Sequence, residues 1–129
     1  MQGALTALLL GDAGVTALVG TRVHWRRQPN RQNAFPYLGL TQVSGIEDYE
    51  LEGESGLSRA GVQIDAWGSD YGEAVALSDA VKSALSGYKG VSAGVTIHGI
   101  FARSARDLDG DLPSGVVFGI SRDFEIVFG

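Results

Sequence analysis

The chain has 129 residues, 44% of them hydrophobic and 19% charged. That is the balance of a globular protein and not of a disordered one, and it is enough chain for one buried core. Cysteine is absent, which excludes disulfides, thiolate metal sites and cysteine nucleophiles. A net charge of −5 argues against a generalist nucleic-acid binder, whose surface is basic. The longest apolar run, Ala7 to Leu10, is too short to cross a bilayer and no basic residue precedes it, so neither a membrane span nor a secretory signal is expected. Nineteen glycines, scattered without a period, stand against three prolines. They point to bulges and tight turns, not to a low-complexity segment.

In chain order, Ala4, Leu5, Leu8 and Leu9 share one helical stripe over residues 2–10. Gly11 interrupts it, and Asp12 is placed to cap a further short turn carrying Val15, Leu18 and Val19, ended by Gly20. We read this as one helix with a break. Arg22 to Arg26 is a short strand and residues 28–33 a polar loop. Pro36 to Ser44 is a second strand, with Leu38 and Leu40 on one face and Tyr37, Thr41 and Val43 on the other. Proline at the first strand position is tolerated because its missing N–H need not pair. Ile46 to Ser58 is an acidic stretch, either a mobile arm or the tip of a long hairpin. Tyr49 and Leu51 alternate with acids there, which favours the hairpin.

Residues 59 to 88 carry the strongest local signals. Val62, Ile64 and Ala66 alternate with Gln63, Asp65 and Trp67, a period of two. Gly68 and Ser69 end the strand. Asp70 stands three residues before Glu73, the spacing of a capping box. Tyr71, Ala74, Val75, Val81, Leu85 and Tyr88 then recur at helical steps, and Gly87 is the expected left-handed cap. Val95 to Arg103 is a strand with Val95, Ile97 and Phe101 on one face, and Asp107 to Ser114 a second acidic loop. Val116 to Phe128 closes the chain, with Phe118, Ile120, Phe124, Ile126 and Phe128 on one face and Ser121, Asp123 and Glu125 on the other. Together these predict a single α+β domain over residues 1–129. It is a two-layer domain, a mainly antiparallel sheet of about five strands covered by two helices, in the order α-β-β-β-α-β-β.

Catalysis needs a nucleophile beside a base, paired carboxylates or a metal cluster. The only histidines, His24 and His98, lie in separate predicted strands with no carboxylate at ligand spacing. Asp107-Leu108-Asp109-Gly110-Asp111 imitates the start of a calcium loop. It has Leu112 where that loop needs glycine and Phe118 where it needs a bidentate glutamate, so a solvated acidic turn is the better reading. Asp65 is expected to pair with an arginine, Arg59 or Arg103, and not to act as a lone acid. No catalytic, cofactor or metal residue is expected.

Charge is instead segregated. Arg22, Arg26, Arg27 and Arg31 cluster with no acid among them, while Glu47, Asp48, Glu50, Glu52 and Glu54 cluster with no base. Two solvated loops are the plain reading. The sharper reading is a positive side and a negative side that meet head to tail in a ring. On that reading these nine residues, with Asp107, Asp109 and Asp111, are the candidate interface with other copies and partners.

Val15-Thr16-Ala17-Leu18-Val19-Gly20-Thr21-Arg22-Val23, Phe35-Pro36-Tyr37-Leu38-Gly39-Leu40 and Val43-Ser44-Gly45, in that order, resemble the tail-completion or tail-terminator proteins of long-tailed bacteriophages, prophages and gene transfer agents. The strongest part of the resemblance is Val62-Gln63-Ile64-Asp65-Ala66-Trp67 followed by Asp70-Tyr71-Gly72-Glu73-Ala74. It covers nearly the whole chain, most loosely after residue 90. It implies a non-enzymatic virion assembly protein of the tail or neck, built in the host cytoplasm. Such a protein forms a homo-hexameric ring on the tail tube protein, stops tube growth and meets the head–tail connector or stopper, while DNA passes through the lumen without specific binding. It implies no cofactor and no membrane. Another neck component, a head-completion or stopper protein, and a monomeric peptide- or ligand-binding module are the competing readings.

Overall fold

The computed structural model describes residues 2–25, 35–43, 58–112 and 115–129, with the backbone alone for 109–112 and 115–117. Its middle strand is β3, Ser58–Gly68. The alternation read from the sequence holds: Ala60, Val62, Ile64 and Ala66 are buried. β3 pairs antiparallel with β2, Tyr37–Gln42, on one side and with β6, Gly115–Phe128, on the other. β5, Val95–Leu112, pairs with the outer edge of β6, and the short β4, Gly90–Ser92, with the start of β5, both antiparallel. At the opposite edge β1, Val23–Trp25, runs parallel to β2. The sheet order is β1-β2-β3-β6-β5-β4.

The helix α3, Tyr71–Leu85, lies across β3 and β6. Its start follows the predicted cap. The Asp70 carboxylate accepts the Glu73 N–H at 2.8 Å, while Glu73 Oε1 accepts the backbone N–H of Ser69 at 2.8 Å. Glu73 thus reaches one residue further back than a capping box requires. At the other end Gly87 takes the left-handed conformation, φ 82°, and its N–H donates to the Ile100 carbonyl at 2.9 Å, fastening the helix exit to β5. Leu77, Val81 and Leu85 face a core shared with Leu38, Leu40, Ile100, Phe124 and Ile126, and Ala74 is buried as well.

The predicted interrupted helix is two helices. α1, Gln2–Leu10, and α2, Ala13–Val19, meet at 84°, and Asp12 caps α2 by accepting the Val15 N–H at 3.0 Å. α1 packs against both edge strands. Trp25 Nε1 of β1 donates to Thr6 Oγ1 at 2.8 Å, and Ser92 Oγ of β4 donates to the Ala4 carbonyl at 2.8 Å in a buried contact. Leu5 and Leu9 are fully buried, worth about 2 kcal/mol each in area removed from water.

Four expectations are corrected. The described residues hold six strands and three helices, in the order α-α-β-β-β-α-β-β-β, because the break at Gly11 turns the chain and 90–92 adds an edge strand. The sheet curls so that α1 touches both edges, which departs from two plain layers. The Asp107–Ser114 loop is strand as far as Leu112, held in the ladder by register pairs from Asp107↔Ile120 to Leu112↔Gly115. Finally, the register shift between Ile97 and Gly99 reverses the alternation of β5, and a second between Ala102 and Ala105 restores it. Ile97 therefore faces the core while Phe101 is exposed on the far side. The acidic stretch 46–58, apart from Ser58 itself, lies outside the described residues.

Candidate interaction surfaces

Both faces of the sheet carry polar chemistry, arranged differently. The face away from the helices presents Arg59, Gln63, Asp65 and Trp67 of β3, Asp123 and Glu125 of β6, and Phe101, Arg103 and Arg106 of β5 in register, with Ser121 of β6 buried among them. Glu125 is shared by Arg103 and, at 3.7 Å, by Arg59. Asp123 accepts from Ser104 Oγ at 3.0 Å and from Arg106 at 3.4 Å, and Arg106 also donates to Gln63 Oε1 at 3.0 Å. Asp65 takes the Gln63 amide at 3.1 Å. The expected pairing of Asp65 with Arg59 or Arg103 is thus replaced: both arginines sit on Glu125, the carboxylate their bulged and neighbouring strands bring opposite them. These pairs are largely solvent-exposed and each adds little to stability. Among the described residues no helix packs on this face. Burial, and then the nearby Asp65 charge, raise the Tyr37 hydroxyl above its ordinary pKa, and burial lowers that of His24. The Tyr37 ring makes tilted contacts with Phe35, centroids 5.4 Å apart, and with His24, 6.3 Å apart.

The helix side holds the less expected arrangement. The apolar alternation of β6 is interrupted by Arg122, which stands where Phe118, Ile120, Phe124 and Ile126 set a hydrophobic rhythm. The guanidinium stays because α3 offers partners: Nε donates to Ser78 Oγ at 3.1 Å, and a terminal nitrogen lies 3.7 Å from the Asp79 carboxylate. Beside it a groove of about 230 Å³ runs between α3 and the β5–β6 hairpin. It is lined by Tyr71, Val75, Asp79, Asp107, Ile120 and Arg122 among others. At its mouth the Tyr71 hydroxyl donates to the Asp107 carboxylate at 3.2 Å, and the Tyr71 ring meets Phe118 edge-on. The Asp107 charge, more than the hydrogen bond, raises the Tyr71 pKa.

Of the residues singled out in the sequence, Arg22 is engaged locally. Its Nε donates to the Pro36 carbonyl at 2.9 Å and its terminal nitrogen to Leu18 at 3.4 Å, joining the end of α2 to the start of β2. Asp107 lines the groove. Asp109 and Asp111 follow it along β5, opposite Phe118 and Val116. Arg26, Arg27, Arg31, Glu47, Asp48, Glu50, Glu52 and Glu54 lie outside the described residues. Sequence reasoning passed over Tyr71, Asp79 and Arg122. The available signal was the lone cation in the apolar alternation of β6.

The chain is thus a small curled α+β domain with polar side chains on both faces of its sheet and a groove beside α3. The structure resembles a chain in the virion of a native gene transfer agent particle, with a TM-score of 0.74 and 23% identity over 100% of this chain and 95% of that one. No curated protein matches it in sequence. Residues 3–128 match the family of tail completion protein gp17, and the chain belongs to that family. It is a structural component of the phage or phage-like virion tail and acts in tail assembly.

Proposed function

We propose that this chain closes the tail as a homo-hexameric ring on the end of the tail tube, terminates its growth and joins it to the head connector or stopper, with no enzymatic step. Family membership supports the setting. What supports the ring itself is the segregation of charge along the chain: an arginine-rich stretch comes after β1 in the sequence, while Asp107, Asp109 and Asp111 belong to β5. Unlike charges carried by separate segments suit a heterologous contact that closes on itself. Arg22, Arg26, Arg27, Arg31, Glu47, Asp48, Glu50, Glu52, Glu54, Asp107, Asp109 and Asp111 are the proposed contact residues toward neighbouring copies, tube and connector. The net charge of −5 favours a lumen through which DNA passes without specific binding.

Electron micrographs of the purified protein, alone and added to growing tail tubes, test this reading. Expected are ring-shaped particles, rings seated at tube ends, and tubes that stop lengthening. A protein that stays monomeric and leaves tube growth unchanged overturns it. Rings that seat on isolated connectors and never on tubes reassign it to another neck component.

A further inference from the structure

We infer that the outer edge of β5, from Ala105 toward Leu112, is a docking edge to which an extended segment of another protein adds as a further strand. The phase of the ladder fixes which main-chain groups are free there. Val43 N–H donates to the Gly61 carbonyl at 2.8 Å, so Gly61 and every second residue after it in β3 bond toward β2. Val62, Ile64, Ala66 and Gly68 then bond to their register partners Phe124, Arg122, Ile120 and Phe118 of β6. Gly119 and Ser121 of β6 are left to bond Leu108 and Arg106 of β5, which turns the N–H and C=O of Ala105 and Asp107 outward. The Ile100 carbonyl agrees with this phase, since it faces away from β6 to accept from Gly87 at 2.9 Å.

Among the described residues nothing covers this edge. β4 pairs with β5 no further than Ile97. Ala105, Arg106 and Asp107 are exposed, and α3 lies mainly across β3 and β6 and barely touches β5. The groove beside α3 runs along the same edge. Ala105, Arg106 and Asp107 all line it, and the Arg106 guanidinium is held by Gln63 and Asp123 on the other face, so the groove meets the β5 main chain itself. Its charges are already paired, Arg122 with Asp79 and Asp107 with the Tyr71 hydroxyl. A newcomer therefore meets the Tyr71 ring, Val75 and Ile120. A strand added about 4.8 Å from β5 sets alternate side chains beside them, and apolar ones fit.

Among the described residues this chain offers no strand of its own that suits. β1, β4 and the part of β6 before Phe118 supply three residues each, and β1 and β4 are tied to α1 through Trp25 and Ser92. Short, covered edges resist pairing. Two β5 edges meeting about a two-fold set Arg106 against Arg106 or Asp107 against Asp107 in the registers centred there, and like charges directly opposite are destabilising. Centred on Ala105, they run the bulge between Ala102 and Ala105 of each copy into the other's ladder. The occupant is thus a different protein's extended segment, alternating apolar with polar residues: main-chain bonds supply affinity and the groove supplies selectivity. This goes beyond the ring reading and does not depend on it.

Residue-resolved amide exchange on the full chain tests the inference. The probe is an acetylated peptide of about nine residues that alternates valine or leucine with threonine or lysine. Without it, the amides of Ala105 and Asp107 are expected to exchange freely, while those of Arg106 and Leu108, bonded to β6, are protected. With peptide up to about 1 mM, exchange at Ala105 and Asp107 is expected to slow at least about tenfold. The same peptide N-methylated throughout is expected to have no effect. Ala105→Pro and Asp109→Pro each remove an outward N–H and leave the ladder to β6 intact. Whichever of them keeps the wild-type circular dichroism and melting is expected to bind the peptide at least about tenfold more weakly. Exchange at Ala105 and Asp107 that the peptide does not change, or a folded proline variant that binds like the wild type, overturns the inference. So does protection of these two amides before any peptide is added, since the edge is then closed by its own chain in a monomer or by a second copy in an oligomer. In each case the ring reading stands or falls by its own micrographs.

Discussion

Trp67 is a large aromatic residue on the sheet face that carries no helix, and it is nevertheless half-buried. Its cover comes from what its neighbour lacks: the register sets Trp67 opposite Gly119, and a Cβ there would stand 2.8 Å from the indole. Gly119→Ala must therefore displace the ring, costing about 1–3 kcal/mol by the overpacking rule. In a Trp67→Ala background the same change is expected to be neutral within about 0.5 kcal/mol, since the clash has no partner. Urea unfolding of the four proteins in this cycle reads the coupling, and an equal cost in both backgrounds would falsify the wedge. Alternation alone placed Trp67 on the outer face. It said nothing of the glycine across the strand, because register is a relation between distant segments. Asp65 shows the same limit. Its face was readable, while its partner depended on a bulge that brings Arg103 to Glu125 instead.

Among the elements, β3, α3 and β6 were readable because each buries one face, so periodicity and caps report directly on the core. Asp107–Ser114 was not. Aspartate, glycine and proline are poor strand formers, and pairing with β6 overrides that preference as far as Leu112. Phe101 was misplaced for a related reason: a bulge between Ile97 and Gly99 reverses the alternation of β5 ahead of it, and a bulge has no signature in one strand read alone. The hairpin also leaves its support behind. The last pair between β3 and β6 is Gly68↔Phe118, after which β5 and β6 pair with each other only. A two-stranded ribbon is marginal in water. The side-chain tie near this point runs through Tyr71, to Asp107 by its hydroxyl and to Phe118 by its ring. Tyr71→Ala is expected to raise hydrogen exchange of the amides in 107–112 by about tenfold, with those of β3 unchanged. Tyr71→Phe, which keeps the ring contact, is expected to raise it less. Exchange that rises equally in β3 would mean that the substitution loosens the whole domain and that Tyr71 is not a local tie.

At the scale of the whole molecule, α1 decides how the two ends of the sheet are held. Its stripe of leucines was plain in the sequence, but the stripe does not tell that one helix meets both edge strands, since β1 and β4 lie some 65 residues apart in the chain and are joined only through tertiary packing. Trp25 and Thr6 make one tie, Ser92 and Ala4 the other, and Leu5 and Leu9 fill the space between. Leu5→Ala is expected to cost about 2–5 kcal/mol, as a cavity in a fully buried site does. The more discriminating readout is where the protection is lost. If α1 clamps both edges, amide exchange in β1 and in β4 rises in parallel, although the two strands share no hydrogen bond. If β1 loosens while β4 keeps its protection, the helix serves one edge and the sheet is open at the other. The distinction bears on the proposed assembly, because β1 and β4 are the two edge strands of the sheet. On the proposed ring reading, a clamp that fixes one edge relative to the other fixes the angle at which successive copies meet, and that angle sets the number of subunits. Leu5→Ala should therefore broaden the distribution of oligomer sizes at temperatures where the subunit remains folded, a result sedimentation velocity separates from simple loss of association.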